Sequence, residues 1–248
     1  KIGSALLTNN GKGIDKGLIS NWVEQIVQLQ SNGIDVVLVS SGSIVEGMKR
    51  LGWEEKPSDI HKLQAAAAVG QMGLVQAYEY LFAKHKVQTA QVLLTRDNLL
   101  NSKHFENISA TLGNLLEFGI VPVINENDTV ATEEIKFGDN DTLAALVANF
   151  LEAEKLIILT DQYGVFDDDP RKNNDAELIK KIHFNDEKLE RVAGKTAGAL
   201  GSGGMYSKVM AAKQAAKSQT ISNIAWGREK DVLTRIYQGE YIGTLIHC

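Results

Sequence analysis

"VPVINENDTVATEEIKFGDNDTLAALVA", residues 121–148, passes from an apolar run through a crowd of amides and carboxylates into a second apolar run. The opening residues read as a buried β-strand and "TLAALVANF" as a helix, so the stretch has the strand, polar loop and helix order of an α/β fold. Between them stand Asn125, Glu126, Asn127, Asp128, Asp139, Asn140 and Asp141. A strand that only has to turn does so with one Gly or one Asn. So dense a polar stretch is either a solvated loop or one wall of a site.

The same alternation extends along the chain. Strand-like runs fall at 36–39 (VVLV), 87–94 (VQTAQVLL), 120–124 (IVPVI), 156–160 (LIILT) and 221–225 (ISNIA), with helical patterns between them. Lys1-Ile2-Gly3 reads as the tail of a further strand whose beginning precedes the sequence as given. Ile19, Trp22, Val23, Ile26, Val27 and Leu29 repeat at helical spacing with Gly33 as the C-terminal cap, which makes Trp22 a core residue. Residues 61–82 and 207–218 read as two more helices, neither with obvious chemistry. The expected fold class is α/β, an open, mainly parallel sheet with helices on both faces. No internal repeat or Pro-rich linker interrupts it, so 1–248 is read as a single domain.

Composition narrows the function classes. The formal net charge of −5 gives no basic footprint for nucleic acid. No apolar run approaches the roughly 20 residues of a membrane span. The only cysteine is Cys248, which excludes an intrachain disulfide and a multi-cysteine zinc site and suits a reducing cytoplasm.

In an open α/β sheet, ligands gather beyond the carboxyl ends of the strands. There the sequence places Lys1 to Ser4, Ser40 to Ser43, Asn125 to Asp128, and Thr160-Asp161. Ser41-Gly42-Ser43 opens one helical run, and Gly201, Gly203 and Gly204 precede another, "MYSKVMAAKQAA". Backbone amides at such helix starts suit phosphate oxygens. Glycine before a helix is more often plain punctuation, but two such loops beside Lys1 and Lys208 favour a polyphosphate ligand.

The familiar nucleotide fingerprints fail. "GKT" at 194–196 lacks the earlier glycine of a Walker loop, because Leu189 stands there within a helical pattern, "DEKLERVA". Gly201-Ser202-Gly203 would need a glycine at Tyr206 to be a dinucleotide fingerprint, and "DNDTLAA" lacks the glycine and oxygen ligands of an EF-hand. The histidines His61, His85, His104, His183 and His247 are scattered, with no nucleophile motif around any of them. Phosphoryl transfer depends on positioning and charge neutralisation, and a carboxylate acceptor is already ionised at pH 7, so no general base is needed.

With these motifs in hand, "KIGS", "VSSGSI", "AAVGQ", "QVLLTRDN", the 121–148 stretch, "LTDQYGVFDDDPR" and "GSGGMYSK", the chain resembles the amino acid kinase family from Lys1 to about Leu245. Within the family it resembles the branch that phosphorylates the γ-carboxylate of L-glutamate with ATP and Mg²⁺, the first step of proline biosynthesis. That resemblance implies a three-layer sandwich. It implies that Lys1 and Lys208 contact ATP and stabilise the transferring phosphoryl group, with Asp141 organising them. Gly3, Ser4, Thr160, Asp161 and the run Ser202, Gly203, Gly204, Met205, Tyr206, Ser207 and Lys208 are implied as nucleotide contacts. Ser41, Gly42, Asp128, Asp139 and Asn140 are implied as substrate contacts. It further implies a homo-oligomer (dimer or tetramer), proline as feedback inhibitor, and glutamate-5-semialdehyde dehydrogenase as pathway partner. Many members also carry a C-terminal PUA domain, and this sequence stops where that domain would begin.

Glutamate carries an α-ammonium, so a wall containing Asp128, Asp139 and Glu126 suits it. N-acetylglutamate lacks that charge and UMP adds negative charge, so the same wall disfavours both. Two alternatives stay open: another phosphotransferase of the family, and a silent glutamate- or proline-binding regulator. Glu126 is expected either in an exposed turn or in a structural hydrogen bond, and Asp141 also reads as a helix N-cap.

Overall fold

In the computed structural model, residues 1–9, 11–100, 102–131, 140–195 and 204–248 are described, without the side chains of 100, 102, 103, 105 and 195. The chain divides into two compact units, one formed by Ile2–Lys136 and the other by Phe137–Cys248 together with Lys1.

The unit Ile2–Lys136 begins with helices α1 (Ser4–Leu7) and α2 (Lys16–Ser31). The Asp15 carboxylate caps α2 by accepting the Leu18 N–H at 3.0 Å. Leu18, Ile19, Trp22, Val23, Ile26 and Leu29 then bury one stripe of α2, as the spacing predicts. Gly33 ends it in the left-handed region (φ +79°), letting the Ile34 N–H close on the Leu29 carbonyl at 3.1 Å.

Strands β1 (Leu38–Val39), β2 (Thr89–Leu94) and β3 (Val121–Glu126) form an all-parallel sheet in the order β1-β3-β2. The central strand β3 is buried at every residue. It tolerates Pro122 because the missing N–H lies on the β1 side, and β1 begins to pair only opposite Val123. The expected strand at 36–39 is shorter than its apolar run for the same reason: only Leu38 and Val39 find partners.

Helices α3 (Ser43–Arg50) and α4 (Ile60–Ala83) approach each other more closely than side chains would permit. A β-carbon on Gly70 would stand 1.8 Å from the Ser43 carbonyl oxygen, and one on Gly47 would stand 1.7 Å from that of Ala66. The glycine in "AAVGQ" thus places the start of α3. Helices α5 (Arg96–Leu100) and α6 (Ser102–Glu117) complete the described helices of this unit.

In the other unit, strands β4 (Lys155–Thr160), β5 (Lys181–His183), β6 (Ile221–Trp226) and β7 (Thr244–His247) pair in the order β4-β6-β7-β5. The β4/β6 and β5/β7 pairs are parallel and β6/β7 is antiparallel. Its described helices are α7 (Asn140–Phe150), α8 (Glu187–Lys195), α9 (Met205–Ala216) and α10 (Val232–Tyr237). The α/β class with mainly parallel, open sheets is what the sequence predicts. Leu189 is fully buried within α8, and Gly194 and Lys195 of "GKT" are the last residues of that helix rather than part of a phosphate loop; Thr196 lies outside the described residues.

The glycine contacts generate a paired test. Gly70→Ala forces a methyl group into the Ser43 carbonyl and is expected to cost about 3 kcal/mol or more of unfolding free energy. Gly113, in α6, has open space where its β-carbon would be. Gly113→Ala is expected to stabilise by roughly 0.5–1 kcal/mol. Urea denaturation of both variants measures the contrast, and equal effects would mean that the α3–α4 approach is not constrained by Gly70.

Candidate functional site

In the unit that contains Lys1, helices α7 and α9 pack against each other, and Ala144, Ala145 and Ala148 on one and Ala211, Ala212 and Ala215 on the other are buried. Both helices start at the same end. Near their beginnings Lys208 Nζ donates to Asp141 Oδ2 at 3.0 Å, and near their ends Asn149 Nδ2 donates to the Gln214 carbonyl at 2.9 Å. Lys1 reaches the same place by pairing with β4: its nitrogen donates to the Ile157 carbonyl at 2.7 Å and its carbonyl accepts the Leu159 N–H at 2.9 Å.

These three elements converge on one carboxylate. Lys1 Nζ forms an ion pair with Asp141 Oδ1, while Lys208 Nζ and Ser207 Oγ, each at 3.0 Å, donate to Oδ2. The Asp141 side chain has no exposure, and those of Lys1 and Lys208 retain 4% and 6%. Among the described residues two ammonium groups meet one carboxylate here, and the positive ends of two helix dipoles point the same way. Such a centre attracts an anion with several oxygens. Asp141 lies inside the first turn of α7, which starts at Asn140, rather than at the capping position.

Several of the expected nucleotide and substrate contacts lie in this unit. Gly204 precedes α9, Met205, Tyr206 and Ser207 form its first turn, and Ser207 Oγ also bonds the Gly204 carbonyl at 2.8 Å. Thr160 is the last residue of β4, and its hydroxyl donates to Asp161 Oδ1 at 3.1 Å. Asn140 is buried at the start of α7. Asp139, Ser202 and Gly203 lie outside the described residues. Gly3 and Ser4 fall in the other unit, at the start of α1.

In the unit Ile2–Lys136, Gly42 takes the left-handed conformation (φ +94°) and opens α3 without a side-chain cap. The hydroxyl that meets Asp128 belongs to Ser43, whose Oγ donates to Asp128 Oδ2 at 2.7 Å. Sequence reasoning had singled out Ser41 and Gly42; once the helix start is known, the first helical residue is the one turned toward the acidic loop. Asn125 is clamped by two bonds: its Oδ1 accepts the Glu126 N–H at 2.9 Å and its Nδ2 donates to Gln71 Oε1 at 2.7 Å. Gln71 lies on α4, a helix in which the sequence shows no chemistry, and only its place after Gly70 in "AAVGQ" hinted at a role. Glu126 is the buried end of β3, so the exposed-turn reading is corrected: strand pairing with Leu94 carries it inward. The polar crowd that opens at Asn125 is therefore built structure up to Asp128, not a solvated loop.

The model of the Amino acid kinase family matches residues 1–224, across both units. A protein named glutamate 5-kinase from Hydrogenovibrio crunogenus is 58% identical over 246 residues, 99% of this chain and 65% of that protein. Others with that name, from Herminiimonas arsenicoxydans and Pseudomonas aeruginosa, are 57% and 58% identical over 98% and 99% of this chain, each covered to 66%. The chain thus spans just under two thirds of the length of these relatives. Among solved structures, an isopentenyl phosphate kinase from T. acidophilum superposes with a TM-score of 0.66 at 16% identity, covering 99% of this chain and 97% of that one. A UMP kinase from Bacillus anthracis gives 0.67 at 16%, with coverage of 99% and 93%. At that identity they bear on the fold alone.

The buried centre generates a stability test. Asp141→Asn keeps the shape but removes a buried counter-charge that two ammonium groups share, and is expected to cost about 3 kcal/mol. Urea unfolding with an unchanged m-value measures this. A variant as stable as the parent would mean that Asp141 is not the charge holding Lys1 and Lys208.

Proposed function

The chain belongs to the amino acid kinase family, and from that premise we propose that it transfers the γ-phosphoryl group of ATP to the γ-carboxylate of L-glutamate, giving L-glutamyl 5-phosphate and ADP, the first step of proline biosynthesis. The observation that carries the reading is the pair of lysines held on one buried carboxylate at the start of two helices. The choice of acceptor is supported by the 55–58% identity to proteins named glutamate 5-kinase and by the carboxylate of Asp128.

One γ-carboxylate oxygen attacks the terminal phosphorus, the bond from that phosphorus to the β,γ-bridging oxygen breaks, and the electron pair leaves with ADP. The acceptor is ionised at neutral pH, so no proton has to be removed. Lys1 and Lys208 neutralise charge on the phosphoryl oxygens as it redistributes, and Asp141 keeps the two ammonium groups from drifting apart. Ser207, Gly204 and the start of α9, with Thr160 and Asp161, are assigned to the nucleotide. Ser41, Gly42 and Asp128, and Asn140 in the other unit, are assigned to the amino acid, with Asp128 on its ammonium. Asp139, Ser202 and Gly203 keep the roles the resemblance implies.

Among the described residues no three His, Cys, Asp or Glu side chains gather as a metal cage. Mg²⁺ accompanying ATP would supply further charge neutralisation there. The same reading takes 1–248 as a single kinase domain, supported by one family match across both units. It carries with it a cytoplasmic location, a homo-oligomer of two or four chains, feedback by proline, and glutamate-5-semialdehyde dehydrogenase as consumer of the product. No helix among the described residues is long and apolar enough to cross a membrane.

Incubation with Mg-ATP and glutamate, N-acetylglutamate, aspartate, carbamate or UMP, followed by hydroxylamine trapping, tests the reading. Hydroxamate is expected from glutamate alone; its absence with glutamate overturns it. Asp128→Ala is expected to raise the glutamate KM about ten- to a hundredfold with little change in kcat, and an unchanged KM removes Asp128 from the acceptor site. Asp141→Asn is expected to lower kcat about a hundredfold, more than it alters either KM, because the misplaced charges matter most in the transition state. Steady-state kinetics below the variant's melting temperature measure it.

A further inference from the structure

Tyr163 stands 58% exposed, yet its ring lies against Trp226 with centroids 5.0 Å apart and planes inclined at 48°. A single exposed aromatic needs no explanation. This one is held in place by its turn. The next residue, Gly164 (φ +154°), brings the backbone so close to β7 that a β-carbon there would stand 2.7 Å from Thr244 Oγ1. The Val165 N–H then donates to the same hydroxyl at 2.8 Å. On the other side, Trp226 is register-paired with Thr160, and the Gly227 N–H closes on the Thr160 carbonyl at 2.9 Å. The turn is thus fixed before any ligand arrives, and an aromatic face offered this way costs little ordering entropy on binding.

Its position also fits. Tyr163 and Trp226 lie at the carboxyl ends of the parallel strands β4 and β6, where α/β folds take ligands. Lys1 pairs along β4 between Ile157 and Leu159, so about 7 Å of strand separates the residue beside Lys1 from Thr160. The cationic centre and the aromatic corner therefore flank the same strand end within one unit.

We infer that Tyr163 and Trp226 form the platform on which the purine of the nucleotide stacks, a base-recognition role for two residues outside the cationic centre. The inference rests on the phosphotransferase reading only in taking the ligand of the lysine centre to be a nucleoside polyphosphate. Stacking on a π-face depends on ring area, so a purine gains more than a pyrimidine.

The test measures dissociation constants of ADP, UDP and inorganic tripolyphosphate for the full chain and for Tyr163→Ala and Tyr163→Phe, with melts of each. Tyr163→Ala is expected to weaken ADP about tenfold, UDP less, and tripolyphosphate not at all, while Tyr163→Phe binds ADP like the parent. ADP is also expected to change the tryptophan emission of the parent, and that change is expected to vanish in Trp226→Phe. Equal ADP affinity in the parent and Tyr163→Ala, with tripolyphosphate still bound, overturns the stacking platform while leaving the phosphotransferase reading intact. A parent that binds neither ADP nor tripolyphosphate overturns both.

Discussion

A carboxylate with no solvent exposure and two ammonium groups against it is the constraint around which one unit of this protein is arranged. Removing three charges from water is expensive, and their mutual attraction compensates only when geometry and further hydrogen bonds are good. Asp141 meets that condition by taking Lys1 on one oxygen and Lys208 with Ser207 on the other. The arrangement requires Lys1 to pair along β4 and the packing of α7 against α9 to bring Asp141 and Lys208 to one level. Replacing the trio by apolar residues would suit stability as well or better; two buried ammonium groups are what an anionic ligand requires.

Small residues place the polar ones in both units. The glycines at 47 and 70 remove the side chains that would separate α3 from α4, and Gly42 supplies the left-handed turn that starts α3. Ser43 is thereby set where its hydroxyl reaches Asp128, and Gln71 where its amide clamps Asn125. In the other unit Gly164 does the same for Tyr163. The polar groups would not hold these positions through their own hydrogen bonds, each worth about 1 kcal/mol net. Backbone packing fixes them first.

A carboxylate acceptor, ionised at neutral pH, asks the protein for neither a nucleophile nor a base. In such a reaction the protein supplies position and charge. Such chemistry leaves a quieter mark on a sequence than a catalytic triad does, because lysines, aspartates and glycines are common everywhere.

The sequence by itself determined the element types and the place of the polar clusters. The period-3.6 stripe of α2, the buried runs of β3, β4 and β6, and the polar groups following each strand are local patterns, legible because side-chain spacing follows backbone geometry directly. Lys1, Asp141 and Lys208 were also legible as candidates through family resemblance. Their meeting on one carboxylate was decided by tertiary structure, since residues 66 or more positions apart come together only when helices pack. Tertiary structure likewise set the Ser43 hydroxyl on Asp128, paired Gln71 with Asn125, drew Glu126 into the sheet and set Tyr163 on Trp226. Each depends on how closely two backbones approach, and that distance is a property of the packed pair which neither segment encodes alone.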